Sequence, residues 1–145
     1  MSDEIVFNEP HSIDAFRQTI MPTFRDGLDI ALARYRDGEL MGGVVYTEYY
    51  AQHCISMHVH SWHRHWLNRD LIYVAFDYPF NQLGVKYIFG SSREDKVAFD
   101  LNVGFKIVSR VENFYPDTHK VILRMARDEC RFLTLKPRGI RRSIH

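Results

Sequence analysis

Five of the eight histidines lie between positions 53 and 65, and four of them, His58, His60, His63 and His65, follow the pattern H-x-H-x-x-H-x-H. Imidazole is a common zinc ligand, and two histidines separated by one residue project from the same face of a strand. The run contains no cysteine or carboxylate, and the nearest acid is Asp70. A zinc site built here would need a ligand that the sequence does not identify. The pattern therefore favours loop histidines at the mouth of a cleft, with a metal-dependent hydrolase as an alternative.

The charge of the chain is almost balanced, because 19 Lys and Arg residues face 18 Asp and Glu residues over 145 positions. The last ten residues, 136–145, contain four of the basic residues and no acid. A balanced body argues against a nucleic-acid-binding face, which needs clustered positive charge. The length suits one domain with its own core. We therefore predict a single domain over 1–135 and a basic tail over 136–145, either solvated or in contact with an acidic partner.

Compartment and membrane contact are indicated by what the sequence contains near its N-terminus and by its cysteines. Two cysteines, Cys54 and Cys130, are too few for a disulfide framework. The N-terminus is acidic and is followed by no apolar core, unlike a signal peptide. No apolar run approaches the about 18 residues that a membrane span needs. We expect a cytoplasmic protein without membrane contact.

Apolar spacing and turn residues predict alternating strands and helices. The predicted elements are, in order: a strand at 5–7, a helix at 13–21 capped by Ser12, a short helical piece ending at Gly27, hairpin strands at 30–36 and 39–47, a strand at 54–59, a helix that starts at Arg69, is capped by Asn68, kinks at Pro79 and stops at Gly84, a strand at 85–89, a helix at 94–103 ended by Gly104, and strands at 105–114 and 120–126.

Three local features set the predicted topology. Asp37-Gly38 between two apolar runs is a strong hairpin signal. The neighbouring Gly42 and Gly43 predict a bulge or a close backbone approach. The strand–helix–strand unit over 54–89 predicts a parallel pair with a right-handed crossover. The fold class is therefore a mixed α/β architecture with a mostly antiparallel sheet, a central parallel pair and helices on both faces.

This element order resembles the GNAT superfamily of N-acetyltransferases. The likeness is carried by residues 34–45 (RYRDGELMGGVV), by strand 54–59 with its loop and the helix opening near Arg69, and by residues 99–106 (FDLNVGFK). The run 76–84 (FDYPFNQLG) is similar to a small GNAT branch of tailed bacteriophages and their hosts. The likeness covers about residues 3–133. It implies a parallel pair that splays apart, acetyl-CoA as co-substrate, and direct acetyl transfer to an amine.

The sequence departs from the superfamily at three places. The usual pyrophosphate loop reads Gln/Arg-x-x-Gly-x-Gly/Ala, whereas residues 60–69 (HSWHRHWLNR) contain no glycine. Many members carry a tyrosine four residues before the Gly-Phe pair, thought to protonate the departing thiolate, and that position here is Asp100. The asparagine that often opens the fourth helix corresponds to Arg93.

The resemblance also assigns cofactor-binding residues. The main chain of the third strand would pair with the pantetheine amides as an added strand does. The N-terminus of the following helix, with flanking arginines, would bind the pyrophosphate. Trp62 and Trp66 would shield the phosphates or stack near the adenine, or else cap the core beneath the loop. The assigned residues are Met57, His58, Val59, Arg64, His65, Trp66, Leu67, Asn68 and Arg69.

Two residues are candidates for acid–base catalysis. The resemblance places His58 on the strand whose end meets the acetyl group, and histidine titrates near neutral pH. Its ring would take the proton of the attacking amine, directly or through water; the alternative is a core-facing ring with a backbone partner. Glu48, at the end of the preceding strand, is the second candidate base, and its alternative is a solvated strand-end charge.

The first interpretation is an acetyl-CoA-dependent N-acyltransferase acting in a bacterial or phage-infected cytoplasm. A noncatalytic binding or assembly module of GNAT fold is the alternative, followed by the metal-dependent hydrolase. The acceptor amine is left open between a metabolite, a peptide N-terminus and a lysine. The oligomeric state is also left open, with a homodimer as the state that small GNAT proteins often adopt.

Overall fold

The computed structural model describes residues 2–135 and the backbone of residues 141–144. Within this part, eight strands form one sheet in the order β6-β7-β5-β4-β3-β2-β1-β8. The strands are β1 (Asp3–Phe7), β2 (Ile30–Arg36), β3 (Glu39–Tyr50), β4 (Cys54–Ser61), β5 (Tyr87–Arg93), β6 (Lys106–Val111), β7 (Lys120–Ala126) and β8 (Arg141–Ile144). The α-helices are α1 (Pro10–Arg17), α2 (Arg69–Asp77) and α3 (Ala98–Val103). Short 3-10 turns lie at Glu94–Lys96, Arg127–Glu129 and Arg131–Thr134, and a π turn at Tyr78–Gln82.

The centre of the sheet is a parallel pair that separates. Strands β4 and β5 pair from Cys54 opposite Tyr87 as far as Ser56 opposite Phe89. Beyond that point β4 stays with β3 and β5 stays with β7. The predicted mixed sheet with a central, splayed parallel pair is therefore confirmed. The gap between the two strands lies beside the helices that follow each of them.

The hairpin at Asp37-Gly38 forms as predicted. Two glycines of its second strand, Gly42 and Gly43, have different neighbours. The register of β2 and β3 shifts between Arg34 and Tyr35, which is a bulge. A Cβ on Gly43 would lie 2.0 Å from the carbonyl oxygen of Leu32, so only glycine fits there. A Cβ on Gly42 would lie 2.8 Å from a ring carbon of Trp66. Both expected features, a bulge and a close approach, are thus present.

The first helix differs from the sequence prediction. Its N-cap is Glu9, whose carboxylate accepts from the backbone N–H groups of His11 and Ser12. Ser12 instead lies inside the helix and donates its hydroxyl to the Glu9 carbonyl. The helix ends at Arg17 because the carbonyl of Phe16 takes the following N–H groups in a tight turn. No second helical piece precedes Gly27 among the described residues.

The second helix follows its prediction closely. The Asn68 side chain accepts from the Leu71 N–H and caps α2. After Asp77 the helix widens into the π turn. This wider turn accommodates Pro79, which has no backbone N–H to donate. Gly84, at a φ of 70°, ends the element. This segment brings the helix N-terminus beside the loop that leaves β4.

The remaining boundaries shift modestly. Strand β5 begins at Tyr87 rather than 85 and extends to Arg93. The helix predicted at 94–103 divides into a 3-10 turn and α3, which ends at Gly104 with a φ of 119°. Strand β6 stops at Val111 rather than 114. These shifts leave the order of elements unchanged.

Two apolar clusters cover the two faces of the sheet. One contains Leu71 and Phe76 of α2 with Val103 of α3, and the other contains Phe16 of α1 with Val45 of β3. Helices therefore lie on both faces, as predicted. No helix in the described part is long and apolar enough to cross a membrane.

The C-terminal segment meets the sheet at its edge. Residues 141–144 of the expected tail form β8, which pairs parallel with β1, Glu4 opposite Arg141. Residues 136–140 and 145 lie outside the described residues. The division of the chain at residue 135 stays a prediction.

Candidate functional site

The gap between β4 and β5 opens into a cavity of about 470 Å³. This volume lies within the range of sites that hold small molecules and cofactors, about 300–1,000 Å³. Its walls come from β4 and β5, and its floor comes from α2, α3 and the core beneath them. The apolar floor contains Leu71, Ala75, Phe76, Val103 and Leu123. The cavity suits a long, partly apolar ligand that enters along the strands.

The wall from β4 offers unpaired main-chain groups. Met57, His58 and Val59 line the cavity, and β5 pairs with β4 only as far as Ser56. A Cβ on Gly90 would lie 3.6 Å from the carbonyl oxygen of Met57, so this carbonyl faces the gap. An extended ligand with amide groups can pair with such an edge as a further strand would.

The ring of His58 lies on the α1 side of the sheet. His58 is opposite Val45 in the β3–β4 register, and directly opposite side chains share a face. Its Nε2 shares a hydrogen bond of 2.9 Å with the hydroxyl of Thr47. Burial lowers the pKa of His58 below its ordinary 6.5, while the carboxylates of Glu48 and Asp29 act in the opposite direction. The ring is therefore neutral at neutral pH and can accept a proton, and the residue lines the cavity.

The carboxylates near His58 differ in their surroundings. Glu48 is exposed, has a φ of 53°, and lies outside the cavity lining. Asp29 is buried and accepts from the backbone N–H of Arg25 at 2.8 Å and from its guanidinium at 3.1 Å. Both contribute negative potential at the His58 ring. Of the two sequence candidates for the base, His58 lines the cavity and Glu48 does not.

The loop from β4 to α2 is held by a buried arginine. Arg34 donates from Nη1 to the carbonyl oxygens of His65 and Trp66, each at 2.9 Å, and from Nε to Asp3 at 2.8 Å. The side-chain amide of Asn68 also donates to Asp3 at 2.9 Å. The path of the loop is thus fixed from β1 and β2, whose residues lie far away in sequence.

Only part of the predicted phosphate-binding run reaches the cavity. Trp66 and Leu67 line it, while Arg64, His65 and Arg69 are exposed outside it. Asn68 is occupied by the helix cap and by Asp3. Arg64 donates from Nε to His65 Nε2 at 3.2 Å.

Both tryptophans of the loop pack against the body. The Trp62 ring lies 5.2 Å from that of Phe16, and the Trp66 ring lies 6.0 Å from that of Phe99. Trp66 also covers Gly42. The arrangement corresponds to the alternative in which both rings cap the core, although Trp66 also forms cavity wall.

The histidine run does not gather around a metal position. The rings of His60 and Trp62 are in edge contact, and the rings of His63 and His65 lie 5.6 Å apart. His58 binds Thr47 on the opposite side of the strand from Met57. Within residues 2–135, no group of three or more His, Cys, Asp or Glu side chains is placed to hold a metal ion. The hydrolase alternative gains no supporting geometry.

Comparison with solved structures identifies the fold. The chain superimposes on a spermidine/spermine N-acetyltransferase from Vibrio cholerae with a TM-score of 0.69 at 14% identity, covering 86% of this chain and 92% of that one. A chimeric form of that spermidine N-acetyltransferase gives 0.71 at 13% identity, with 92% and 100% covered. A GNAT-family acetyltransferase from Bacillus anthracis gives 0.54 at 11% identity, with 70% and 67% covered.

This chain has the GNAT fold. No protein-family model matches it, and no curated protein sequence matches it. The likeness to these acetyltransferases is therefore one of backbone architecture, which the splayed β4–β5 pair already displays.

Within this GNAT fold, the positions where the sequence departs from the superfamily have specific neighbours. Asp100 lines the cavity, and burial raises its pKa above the ordinary 3.8, against a hydrogen bond from Ser92. Arg93 lies outside the lining and binds Asp95 and Asp117.

Sequence reasoning missed several residues that line the cavity. Ser91 and Ser92 lie on β5 beyond the residues that pair with β4. Lys96 follows in the 3-10 turn, and Tyr115 reaches in from the β6–β7 loop. The two serines were missed because the predicted strand ended at residue 89, whereas β5 continues to Arg93. Tyr115 carried no sequence signal, because its approach depends on the packing of a distant loop.

Proposed function

We propose that this protein is an N-acyltransferase that moves the acetyl group of acetyl-CoA to an amine by direct transfer in a ternary complex. The observation that carries the proposal is the gap between β4 and β5, which opens into the cavity with the neutral His58 ring at its wall. The GNAT fold supports the same assignment, since the structurally similar proteins are acetyltransferases.

In the proposed complex, the pantetheine arm lies in the gap along β4. Its amides pair with the main chain of Met57 and Val59, whose side towards β5 is open. His58, between them, directs its own main chain to Val45 of β3 and faces the arm along the same edge. Its apolar segments contact the floor formed by α2 and α3. The diphosphate lies at the N-terminus of α2, where the helix dipole and the cationic Arg64 and Arg69 favour an anion.

The reaction needs one proton acceptor and one leaving group. The amine nitrogen attacks the thioester carbonyl, the C–N bond forms, and the C–S bond breaks to release the thiolate of CoA. The proton of the amine passes to His58, directly or through a water molecule, and is then returned through solvent to the thiolate, which leaves as the thiol of CoA. Orientation of the two reactants supplies about 7–11 kcal/mol of the barrier, and a general base adds about 10²–10⁴-fold. Glu48 is the second candidate for the base.

The acceptor is an amine that approaches from the α1 side, where His58 lies. Asp29 and Glu48 place negative potential there, which favours a cationic amine over an anionic one. Two of the structurally similar proteins are spermidine N-acetyltransferases, so spermidine is the first acceptor to test, with peptide N-termini and lysine as the others.

A turnover assay tests the proposal. Purified protein is incubated with acetyl-CoA and each amine, and free thiol and acetylated amine are both measured. The proposal expects equal amounts of thiol and product. Thiol release without any acetylated amine indicates hydrolysis and contradicts the proposal.

A noncatalytic binding module is the second candidate, and one observation favours it. Asp100 stands where many GNAT members have a tyrosine, and a carboxylate opposes a developing thiolate. Binding of acetyl-CoA with no turnover on any of the amines would select this candidate.

We also propose a bacterial or phage-infected cytoplasm and a homodimeric state. The support for the compartment is the pair of free cysteines, Cys54 and Cys130. The support for the phage branch is the run 76–84 alone. The support for the dimer is the outer strand β6, where Ile107 and Val108 are each 46% exposed. Light scattering after gel filtration tests the dimer, which would have twice the mass of 17.2 kDa.

A further inference from the structure

Arg34, on β2, connects its own strand to β1 and to the loop between β4 and α2. Its side chain is 7% exposed, and its guanidinium binds Asp3 of β1 together with the carbonyl oxygens of His65 and Trp66. A buried cation needs both a counter-charge and full hydrogen bonding. Here the counter-charge comes from Asp3, and the loop backbone provides two of the acceptors. The loop is therefore held through its carbonyl groups.

The direction of these carbonyls fixes the direction of the neighbouring N–H groups. In a planar trans peptide the C=O and the following N–H point in opposite directions. Because the Trp66 carbonyl points towards Arg34, the N–H of Leu67 points away from it. Among the described residues, the Leu67 N–H donates no hydrogen bond. Leu67 also lines the cavity, which places this residue, with its N–H directed away from Arg34, at the end of the cavity near α2.

The same network orients the start of α2. Asp3 accepts from Asn68 as well as from Arg34, and Asn68 caps the helix through Leu71. The N–H groups that begin the helix follow immediately after this cap. Arg34 therefore holds both the loop N–H and, through Asp3, the helix N-terminus in one arrangement. The loop has no glycine to adopt such a path by backbone freedom alone.

We propose that Arg34 is a positioning residue for the diphosphate of the acyl donor. It does not touch the ligand; it holds the carbonyl of Trp66 inward so that the Leu67 N–H and the helix N–H groups face the diphosphate, whereas the Trp66 N–H, which follows the His65 carbonyl, donates to the carbonyl of His63. This inference rests on the proposed function, in which acetyl-CoA binds in the gap. It predicts that loss of Arg34 affects the diphosphate end of the ligand and spares the pantetheine end.

Calorimetry with two ligands tests this inference. Acetyl-CoA carries the diphosphate, and S-acetylpantetheine lacks it. For Arg34→Gln we expect the Kd for acetyl-CoA to rise at least tenfold and that for S-acetylpantetheine to stay within twofold. Arg124→Gln removes one exposed positive charge from β7, where Arg124 lies over Tyr87, and is the matched control with both constants unchanged.

A second variant covers the case in which Arg34→Gln does not fold. Arg34→Lys keeps the charge beside Asp3, but one ammonium group cannot reproduce the planar fork that binds Asp3 and both carbonyls. The same selective loss for acetyl-CoA is expected. Equal loss for both ligands, or no loss for either, in the folded variant overturns the inference. Wild-type protein that binds neither ligand overturns the proposed function instead.

Discussion

Nε2 of His58 and Oγ1 of Thr47 lie 2.9 Å apart across the β3–β4 pair, on the sheet face covered by α1. This contact leaves the other ring nitrogen, Nδ1, without a partner among the described side chains. A half-buried ring with one nitrogen anchored keeps its orientation, and in the tautomer in which Nε2 donates to Thr47 the free Nδ1 can accept a proton. The pairing therefore connects the register of two strands to the proposed chemistry.

Replacing His58 by alanine tests its role as the base. We predict that His58→Ala lowers turnover at least about 10²-fold, while the Kd for acetyl-CoA stays within about twofold because the pantetheine pairs with backbone groups. His53→Ala, which removes an exposed histidine that packs on Tyr87, is the control and should keep full turnover. An active His58→Ala enzyme would move the role to Glu48 or to water.

The pH dependence of turnover follows from the lowered pKa of His58. The base must be neutral, and burial keeps the ring neutral to a pH below its ordinary 6.5. We predict that kcat/KM is flat around neutral pH and falls on the acid side with a midpoint below about 6.5. A midpoint above this value would show that the ring is stabilised in its charged form.

The free energy of unfolding should fall as the pH is lowered through the range in which His58 titrates. The folded-state pKa of His58 is below the unfolded value, so the unfolded chain takes up a proton first as the pH falls. The contribution of His58 is therefore full above about pH 6.5 and is lost between that pH and the folded-state pKa. In urea titrations from pH 8 to pH 5, we predict a smaller loss of stability for His58→Gln than for the wild type.

Gly90 tests whether the gap is occupied by the donor. A Cβ at this position meets only the Met57 carbonyl at 3.6 Å, an ordinary contact. We predict that Gly90→Ala leaves the melting temperature nearly unchanged but weakens both acetyl-CoA and S-acetylpantetheine, because the added methyl enters the path of the arm. Unchanged affinity in Gly90→Ala would place the ligand elsewhere.

Asp100 should destabilise the fold at neutral pH. Its folded-state pKa is raised by burial, so the folded state resists ionisation more than the unfolded chain does. The cost is absent below the unfolded pKa, about 3.9, and grows as the pH rises through the folded-state pKa. We predict that Asp100→Asn is more stable than the wild type at pH 7 and that the gain disappears towards pH 4. Asp128→Asn, at an exposed acid, should show neither effect.

Local signals in the sequence were sufficient for most of the fold. Asp37-Gly38, Asn68 and Gly104 each act through a turn or cap that needs only neighbouring residues, and each is where the sequence predicts it. The predicted start of α1 was wrong because two polar residues three positions apart, Glu9 and Ser12, compete for the cap. Glu9 reaches the free N–H groups, and Ser12 satisfies its hydroxyl within the helix.

The site could be predicted only where β4 and the loop that follows it carry it, at Met57, His58, Val59, Trp66 and Leu67. The β4 residues that line the cavity follow from their place in the parallel pair. Arg34 and Tyr115 could not be predicted, because one acts from β2 and the other from the β6–β7 loop. Their contacts depend on how segments distant in sequence pack together, and the spacing of residues along the chain does not indicate that packing.

A melting curve with acetyl-CoA tests the central claim most directly. A ligand that binds only the folded state at a hundredfold excess over Kd stabilises it by about 2.7 kcal/mol, which raises the melting temperature of a domain of this size by several degrees. We predict this rise for the wild type at millimolar acetyl-CoA and a much smaller one for Gly90→Ala. An unchanged melting temperature of the wild type at that concentration would contradict an acetyl-CoA site between β4 and β5.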